Sequence, residues 1–458
     1  MTEPTPPTEF DDTTTDRSTR SANSIIEDFP EFLVDDITLD RLGRQEIKVV
    51  SSLSDILLCI RRKFTKKCSL EGHHFACCLH LNAHTALFLE TLIQCKCKVA
   101  VVAASQLTVQ NHVAAAMASA GIRVYGSTAM TTSQLHACYE LVCSWEPTFI
   151  LDEFGEFLQY FYRNHMDRLR HLKIVYTLSS SAFHFLNRIQ GSQGYFAVPI
   201  VNINSVEAFR LAQVNDTLTA TAVIIKMCGF VLPGSEVCIN GFDEVGCELA
   251  RQFSRTGAHI TVVETDPRYV LNAVFNGYTV GQFHTLSKKA DIILFTEPVL
   301  TPMTSKIFKH LKNGCLVVNV SNYSLCSCLP SLKHINCNWL DLQPNIQAIV
   351  DRSSSSTRRV FTVNKGRPCL HLFHNVSFRT ETIKFGIISS CILENFSSNP
   401  KFGLSFAHLH PGGVQNQGGE IMNVSPSAEL LFCSLVVEGL GVRMDHDKQR
   451  LIYNQSYQ

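Results

Sequence analysis

The sequence predicts an α/β protein with two doubly wound parallel sheets. The first observation behind this prediction is that short apolar runs alternate with helix-period segments between residues 75 and 177. The second is that the same alternation starts again near residue 217. The third is that residues 237–266 read as strand, glycine turn, helix, strand and acid. Repeated β-α-β units require parallel strands whose two faces are both covered by helices.

The elements follow from the spacing of apolar residues along the chain. Two amphipathic helices are predicted between residues 36 and 64. First-domain strands are then predicted at 75–81, 98–103, 122–125, 148–151 and 174–177, with helices at 82–94, 109–120, 133–144 and 156–164. Second-domain strands are predicted at 237–240, 260–263, 291–295 and 315–320, and a last helix at 427–438.

The glycine turn predicts that the second domain is a dinucleotide-binding domain of the Rossmann type. Gly241 permits a tight turn, Gly246 lets the helix pack closely, and the helix N-terminus offers N–H groups to a diphosphate. Glu264 ends the second strand, where it can accept hydrogen bonds from a ribose. Asp243 replaces the middle glycine of G-x-G-x-x-G, and its bulk and charge should weaken binding of an anion. The predicted cofactor is NAD, bound weakly or not at all, and a domain kept only as scaffold is the alternative.

Changes in composition divide the chain into four parts. Residues 1–29 are rich in Ser, Thr, Pro and acids and are predicted to be a disordered leader. We predict a substrate-binding-type domain at 30–212, completed by a return segment near 376–405. The Rossmann domain is predicted at 213–375, and residues 406–458 are a divergent C-terminal tail.

The overall composition excludes several classes of protein. Lys and Arg balance Asp and Glu at 40 each, and no basic run with interleaved aromatics occurs, so no nucleic-acid binding is predicted. The longest apolar run, 219–233, contains Lys226 and is too short to span a membrane. Eighteen cysteines without an N-terminal signal segment predict reduced thiols in the cytoplasm. Cys77, Cys78 and His80 lack the spacing of a zinc knuckle, and no metal site is predicted.

Several strings in the correct order resemble one enzyme family. They are CLHLNAHTA at 78–86, ETL at 90–92, LDRLGRQEI at 39–47, QNH at 110–112, ILDE at 150–153, NIN at 202–204, ETDP at 264–267, Asn319 and VDR at 350–352. Over roughly residues 30 to 380 the chain resembles the adenosylhomocysteinase family. The C-terminal tail has little resemblance to it.

The resemblance implies a reaction class and a cofactor. The family reversibly cleaves S-adenosylhomocysteine to adenosine and homocysteine, using tightly held NAD to oxidise the ribose 3′-hydroxyl. A base then removes the acidified C4′ proton, homocysteine leaves, water adds and the hydride returns. This chemistry needs a lysine and carboxylates near the sugar and polar groups around the adenine.

The resemblance also assigns candidate site residues, several of which depart from the family pattern. His80 matches a family histidine at a strand end. Asn82 replaces a threonine, and His84 replaces a glutamate that binds adenine. Glu153 replaces the catalytic aspartate, and its extra methylene displaces the carboxylate enough to reduce the rate by about two orders of magnitude. The candidate catalytic residues are therefore His80 and Glu153, and the candidate substrate-binding residues are Asn82, His84 and Asn204.

After the asparagine that matches Asn204, the family has a lysine and an aspartate that act on the ribose. Neither residue is present in residues 205–213 of this chain. The candidate cofactor-binding residues are Gly241, Asp243, Gly246, Glu264 and Asn319. Because catalytic groups act as a unit, loss of several predicts loss of most activity. The leading prediction is a binding or regulatory homologue of the hydrolase.

Two alternatives and several partners accompany this prediction. One alternative is an active NAD-dependent adenosylhomocysteinase, which needs Glu153 as base and Asp243 turned away from the phosphates. The other is a dehydrogenase acting on a different small substrate. The expected partners are a second copy of the chain, an authentic hydrolase, or a protein bound through the acidic leader.

Overall fold

The computed structural model describes residues 31–179, 182, 186, 198–296, 303–321, 327–329, 337–351, 358–370, 372, 377–396 and 421–439. The predicted leader, 1–29, lies outside this range, as do residues 406–420 and 440–458 of the predicted tail. From Phe32 onward the chain belongs to one compact unit. No helix within the described ranges has both the length and the apolar character needed to cross a membrane.

Seven strands of the described ranges form the first sheet, and every neighbouring pair is parallel. In spatial order they are β15 (Ile421–Asn423), β6 (Ile200–Asn202), β5 (Ile174–Thr177), β4 (Phe149–Asp152), β1 (His74–Leu79), β2 (Lys98–Ala103) and β3 (Arg123–Tyr125). Phe75 and Cys77 face one apolar core, and Ala76 and Cys78 face another. Burial on both faces explains why these strands are continuous apolar runs.

Helices cover both faces of this sheet. They are α1 (Asp40–Leu53), α2 (Asp55–Lys67), α3 (Ala83–Gln94), α4 (Asn111–Ser119), α5 (Thr132–Ser144) and α6 (Glu156–Asn164). The first four contribute to the core of Phe75, and the last two to the core of Cys78. The predicted doubly wound arrangement is confirmed.

In the part of the chain that the structure describes, the second sheet has eight strands. In spatial order they are β12 (Cys337–Gln343), β13 (Ile346–Asp351), β14 (Arg358–Val363), β11 (Leu316–Asn319), β10 (Ile292–Phe295), β7 (Glu236–Asn240), β8 (His259–Val263) and β9 (Thr279–Val280). From β14 to β9 all pairs are parallel. Helix α7 (Glu207–Met227) runs from the first core, which contains Phe209, to the core of the second sheet, which contains Ile224. The other helices described in this domain are α8 (Glu244–Arg255), α9 (Pro267–Phe275), α10 (Phe283–Leu286) and α11 (Ser305–Phe308).

One edge of the second sheet departs from the purely parallel prediction. The strands β12, β13 and β14 pair antiparallel. Only Pro344 and Asn345 separate β12 from β13, and Asn345 adopts a left-handed φ of 64°. A parallel connection needs a crossover of a dozen or more residues, so this short turn can join only antiparallel strands.

The chain returns to the first sheet after completing the second. The helix α12 (Phe378–Phe396) lies in the predicted return segment and places Phe385 and Ile388 in the same core as Phe75. The helix α13 (Pro426–Gly439) adds Phe432 to that core, and β15 pairs with β6. In the predicted tail, β15 thus extends the first sheet and α13 adds to its core, whereas the exact domain boundaries stay predictions.

Candidate functional site

The carboxyl ends of two adjacent strands place His80 and Glu153 in one cleft. The strands β1 and β4 are parallel neighbours, with Cys78 opposite Asp152. The N–H of Glu153 donates to the carbonyl oxygen of Cys78 at 3.0 Å, so both side chains emerge just beyond the strand ends. Both residues are buried and line the same cavity. The two predicted catalytic residues thus lie in one cleft, and their catalytic role stays a prediction.

The imidazole of His80 is held by Thr108. Its Nδ1 lies 2.8 Å from Thr108 Oγ1, and that hydroxyl donates to the carbonyl oxygen of Ser105 at 3.0 Å. Because the hydroxyl hydrogen is used in that bond, His80 Nδ1 carries a hydrogen and donates it to Thr108 Oγ1. Burial, with a contribution from the charge of Lys384, lowers the pKa of His80 to about 3. The ring is therefore neutral at physiological pH.

Lys384 enters the same cleft from α12, a contact that the sequence analysis did not predict. Its Nζ lies 2.7 Å from Glu381 Oε1 and 3.2 Å from Glu153 Oε2. All three side chains are buried. Burial alone would lower the pKa of Lys384, but the charges of Glu153 and Glu381 and the hydrogen bonds to them raise it above its ordinary value. A buried ammonium is thus held between two carboxylates, and we call these three residues the lysine triad.

Asp152 has a structural task behind this site. Its carboxylate accepts hydrogen bonds from the N–H of Phe154 at 3.3 Å and of Leu158 at 2.8 Å, near the start of α6. Burial raises the pKa of Asp152 to about 6, although these backbone hydrogen bonds oppose the rise. Its carboxylate is committed to the backbone rather than to the cavity.

Two cavities adjoin the lysine triad. The first, of about 50 Å³, lies between the triad, His80 and one face of α7 that includes Phe209 and Asp216. The second, of about 180 Å³, lies between α1, the start of α3 and Phe378. His80 and Glu381 line both, so the two cavities meet at these side chains. Sites for drug-sized ligands usually measure about 300–1,000 Å³, which makes both cavities small.

The predicted substrate-binding residues are not all brought together. Asn82 caps α3 by accepting from the N–H of Thr85 at 2.9 Å, and its Nδ2 donates to Glu381 Oε2 at 3.3 Å. His84 is buried against the edge of Phe378, with ring centroids 4.9 Å apart. Both line the second cavity. Asn204 lies in a short 3-10 turn after β6 and is absent from the described lining of either cavity.

The glycine turn of the second domain has the geometry that its pattern predicts. Gly241 follows β7 with a φ of 103°, a conformation that favours glycine. A Cβ on Gly246 would lie 2.2 Å from the carbonyl oxygen of Gly241, so no side chain fits there. These two positions preserve the turn and the close packing of α8 against it.

Asp243 turns its carboxylate onto its own helix. It is the N-cap of α8, and its Oδ1 accepts from the N–H of Gly246 at 2.9 Å. Burial raises the pKa of Asp243, while the hydrogen bonds from Gly246 and Thr296 oppose that rise. A carboxylate of the chain therefore occupies the helix N-terminus, where an anionic ligand would otherwise find free N–H groups.

Glu264 and Asn319 make backbone contacts near this turn. Glu264 Oε2 accepts from the N–H of Phe242 at 2.7 Å, and its Oε1 accepts from the N–H groups of Thr265 and Asp266. Asn319 ends β11, and its Nδ2 donates to the carbonyl oxygen of Gly366 at 3.1 Å. These contacts shape the carboxyl edge of the sheet. Glu264 retains acceptor capacity, since each carboxylate oxygen has two lone pairs.

The described cysteines are buried or half-buried free thiols. Burial raises the pKa of Cys77 and of Cys78 well above the ordinary range. Within the described ranges, no cluster of three His, Cys, Asp or Glu side chains is arranged to hold a metal ion.

Comparison with known proteins decides the family. Residues 31–193 match the model of S-adenosyl-L-homocysteine hydrolase, and residues 214–372 match the model of the NAD-binding domain of the same enzyme. The chain belongs to the S-adenosyl-L-homocysteine hydrolase family. The second domain is accordingly of that family's NAD-binding type, and the resemblance predicted from the sequence strings is confirmed.

Three solved structures that resemble the chain share between 15% and 17% sequence identity with it. One is a dipicolinate synthase chain from Bacillus halodurans, with 17% identity and a TM-score of 0.31, covering 55% of this chain and 83% of that one. The A chain of dipicolinate synthase from Bacillus subtilis has 15% identity and a TM-score of 0.32, and the match covers 55% of this chain and 81% of that one. A putative D-3-phosphoglycerate dehydrogenase from Ralstonia solanacearum has 16% identity and a TM-score of 0.34, and the match covers 57% of this chain and 75% of that one. These similarities carry no information about ligands.

NAD, the cofactor that the family implies, fits only part of the turn. Gly241, Gly246 and Glu264 keep the backbone and the ribose acceptor that a dinucleotide needs. Asp243 does not fit, because its carboxylate already accepts from the N–H of Gly246, at the end of the helix where the diphosphate would bind.

Sequence reasoning missed Lys384 and Glu381 as site residues of this family member. The available signal was a Glu and a Lys three residues apart inside an otherwise apolar helical stretch. Charged residues are rarely buried without a partner, so such a pair indicates an internal ion pair. Its partner Glu153 lies 231 residues away in the sequence, and no local pattern identifies that contact.

Proposed function

We propose that this chain is a member of the S-adenosyl-L-homocysteine hydrolase family that binds a ligand without cleaving it. The observation that carries the proposal is the lysine triad. Lys384 Nζ lies 3.2 Å from Oε2 of Glu153, the residue at the position of the family's catalytic aspartate. The cavity beside this pair measures only about 50 Å³.

The triad removes Glu153 from acid–base chemistry. The carboxylate of Glu153 would have to leave a hydrogen-bonded ion pair with a buried ammonium to take a proton from a substrate. The pKa of His80, lowered by burial to about 3, makes its imidazole a weak proton acceptor, so it does not replace the missing groups. The chain therefore keeps the cleft of the family with its reactive side chains bonded to one another.

The contact of Asp243 supports weak or absent NAD binding. A diphosphate approaching the start of α8 would meet a negative charge that already uses the N–H of Gly246. Because the reaction of the family depends on oxidation by NAD, weak binding would suppress cleavage independently of the lysine triad.

The decisive experiment is cleavage of S-adenosylhomocysteine by the purified chain with excess NAD, with the released homocysteine thiol trapped. We expect no thiol above the uncatalysed rate. Turnover in the ordinary range of enzymes, about 1–1,000 per second, would reject the proposal.

One observation favours an active hydrolase as the second candidate. Lys384 brings an amine into the cleft beside His80 and Glu153, although the lysine expected from the family is missing from residues 205–213. Separation of the triad on substrate binding would release an amine and a carboxylate together. The thiol assay distinguishes the two candidates, and loss of measured turnover in a Lys384→Met variant would support the second.

A regulatory role would need a partner. We propose a cytoplasmic protein that assembles with itself or with an authentic hydrolase, or that docks another protein through residues 1–29. The free thiols of the described cysteines support a reducing compartment. Mixing the chain with an authentic hydrolase and measuring the mass of the assemblies tests the hetero-oligomer, and unchanged masses would count against it.

A further inference from the structure

The two cavities beside the lysine triad are lined by more negative than positive side chains. Four carboxylates face them, from Glu46, Glu153, Asp216 and Glu381, against the single ammonium of Lys384. No arginine and no second lysine occurs among the described lining residues. His80 and His84 add no charge at neutral pH, because burial lowers the pKa of each.

The four carboxylates differ in how far they are compensated. Glu153 and Glu381 share Lys384, so two negative charges face one positive charge. Glu46 is paired with the ring of His112. Asp216 accepts from the N–H of Ser377 at 3.0 Å, a bond to a neutral donor. The junction of the cavities therefore has more negative than positive charge around Lys384. Because these side chains are buried, water screens their charges only weakly, and their attraction for a cation is stronger than at the surface.

Two neutral polar atoms in the second cavity point independently to a ligand. His84 is 7% exposed, and its Nε2 has no hydrogen-bond partner among the described residues. The Oε1 of Gln110, which lines the same cavity, also has none there. Buried polar atoms are nearly always satisfied by protein, water or ligand, so a polar molecule belongs in this space.

We propose that the joined cavities bind a small organic cation, with a sulfonium or ammonium centre, in preference to its neutral analogue. The excess of carboxylates selects the positive charge, and His84 and Gln110 bind the polar part of the molecule. This inference rests on the proposed function, since it concerns a ligand that is held and not cleaved. The proposed ligand is positively charged, whereas a cleft that binds phosphate would select a negatively charged ligand.

A matched pair of probes isolates the charge. Choline and 3,3-dimethylbutan-1-ol have the same shape and hydroxyl group and differ only in the charged nitrogen, which is a neutral carbon in the alcohol. We expect the full chain, titrated calorimetrically at low ionic strength, to bind choline at least about tenfold more tightly, a preference that shrinks as salt is added. Equal affinities, tighter binding of the neutral alcohol, or no binding of either compound would overturn the inference.

Variants locate the effect. Asp216→Asn keeps the shape of the first cavity and removes one charge, so the ratio of the two affinities should fall several-fold. Glu71→Gln makes the same change of charge at an exposed ion pair with Lys96, outside the residues that line the cavities, and should leave the ratio unchanged. An unchanged ratio in Asp216→Asn would overturn the assignment to this site.

The thiol assay keeps this test separate from that of the proposed function. Release of homocysteine from S-adenosylhomocysteine with a preserved preference for choline would reject the non-cleaving proposal and retain the cation site. Absence of thiol with equal affinities would retain the non-cleaving proposal and reject the cation site.

Discussion

At the scale of single residues, Lys384 has the largest predicted effect on stability. Lys384→Met keeps most of the side-chain volume but leaves Glu153 and Glu381 buried without their cation. Removing one partner of a buried ion pair costs about 3–5 kcal/mol, so the free energy of unfolding should fall by that amount in urea titrations.

A matched control separates this effect from the loss of a lysine as such. Lys96 forms an exposed pair with Glu71 at 2.9 Å. Lys96→Met should change the free energy of unfolding by less than about 1 kcal/mol. A Lys384→Met protein as stable as the Lys96→Met control would show that the triad does not form in solution.

His80 predicts a dependence of stability on pH. The pKa of His80 in the folded protein is about 3, lowered mainly by burial, whereas an unfolded histidine titrates near 6.5. As the pH falls from about 6.5 toward 3, the unfolded chain takes up a proton that the folded protein does not, and stability falls. The difference in unfolding free energy between the wild type and His80→Gln should therefore shrink below pH 6.5. A difference that stays constant from pH 7.5 to 5 would contradict the neutral, buried imidazole.

At the scale of elements, the start of α8 offers a gain of function. Asp243→Gly restores the G-x-G-x-x-G pattern and frees the N–H of Gly246, so NAD affinity should rise by at least about tenfold in a fluorescence titration. Glycine is itself an acceptable N-cap, and the loss of stability should be only a few tenths of a kcal/mol.

Asp36→Gly is the control for this change. Asp36 caps the short 3-10 helix Ile37–Leu39 by accepting from the N–H of Thr38 at 2.9 Å, so the same substitution removes a cap in the first domain. NAD affinity should not rise in this variant. If Asp243→Gly also leaves it unchanged, the carboxylate is not what limits binding.

Much of the fold was predictable at this scale, and the site less so. The strands β1, β2, β4 and β7 were predicted because short, continuous apolar runs between turn residues are typical of strands buried on both faces. The positions of His80 and Glu153 followed from the strand ends that precede them. The contacts of Lys384 did not, because they depend on the packing of α12 against a sheet encoded more than 200 residues earlier. Asp243 was singled out from the sequence, but the direction of its carboxylate is set by helix geometry.

At the scale of the whole molecule, the first domain should fold only when its two parts are joined. Residues 31–216 alone lack α12 and α13, which supply Phe385, Ile392 and Phe432 to the core around Phe75. We expect this fragment to lose its near-ultraviolet circular dichroism and to unfold without cooperativity.

A fusion of residues 31–216 to 377–439 through a short glycine linker should restore cooperative unfolding. Its ends are close, since Asp216 accepts from the N–H of Ser377 at 3.0 Å, and the fusion omits most of the second domain. The fragment and the fusion are compared by urea titration with circular dichroism as the signal. Equal cooperativity of the two would show that the return segment is not part of the core.

The position of β15 has a consequence for how the protein is made. β6 and its outer neighbour β15 are separated in sequence by the whole second sheet. A ribosome adding about 5–20 residues per second needs about 10–40 seconds to pass from one strand to the other. During that interval the second sheet is complete on the nascent chain, while the first still exposes an open strand edge and the apolar surface that α12 and α13 later cover. Chaperones that shield nascent polypeptides would therefore meet the earlier-synthesised half of this protein in its unfinished state.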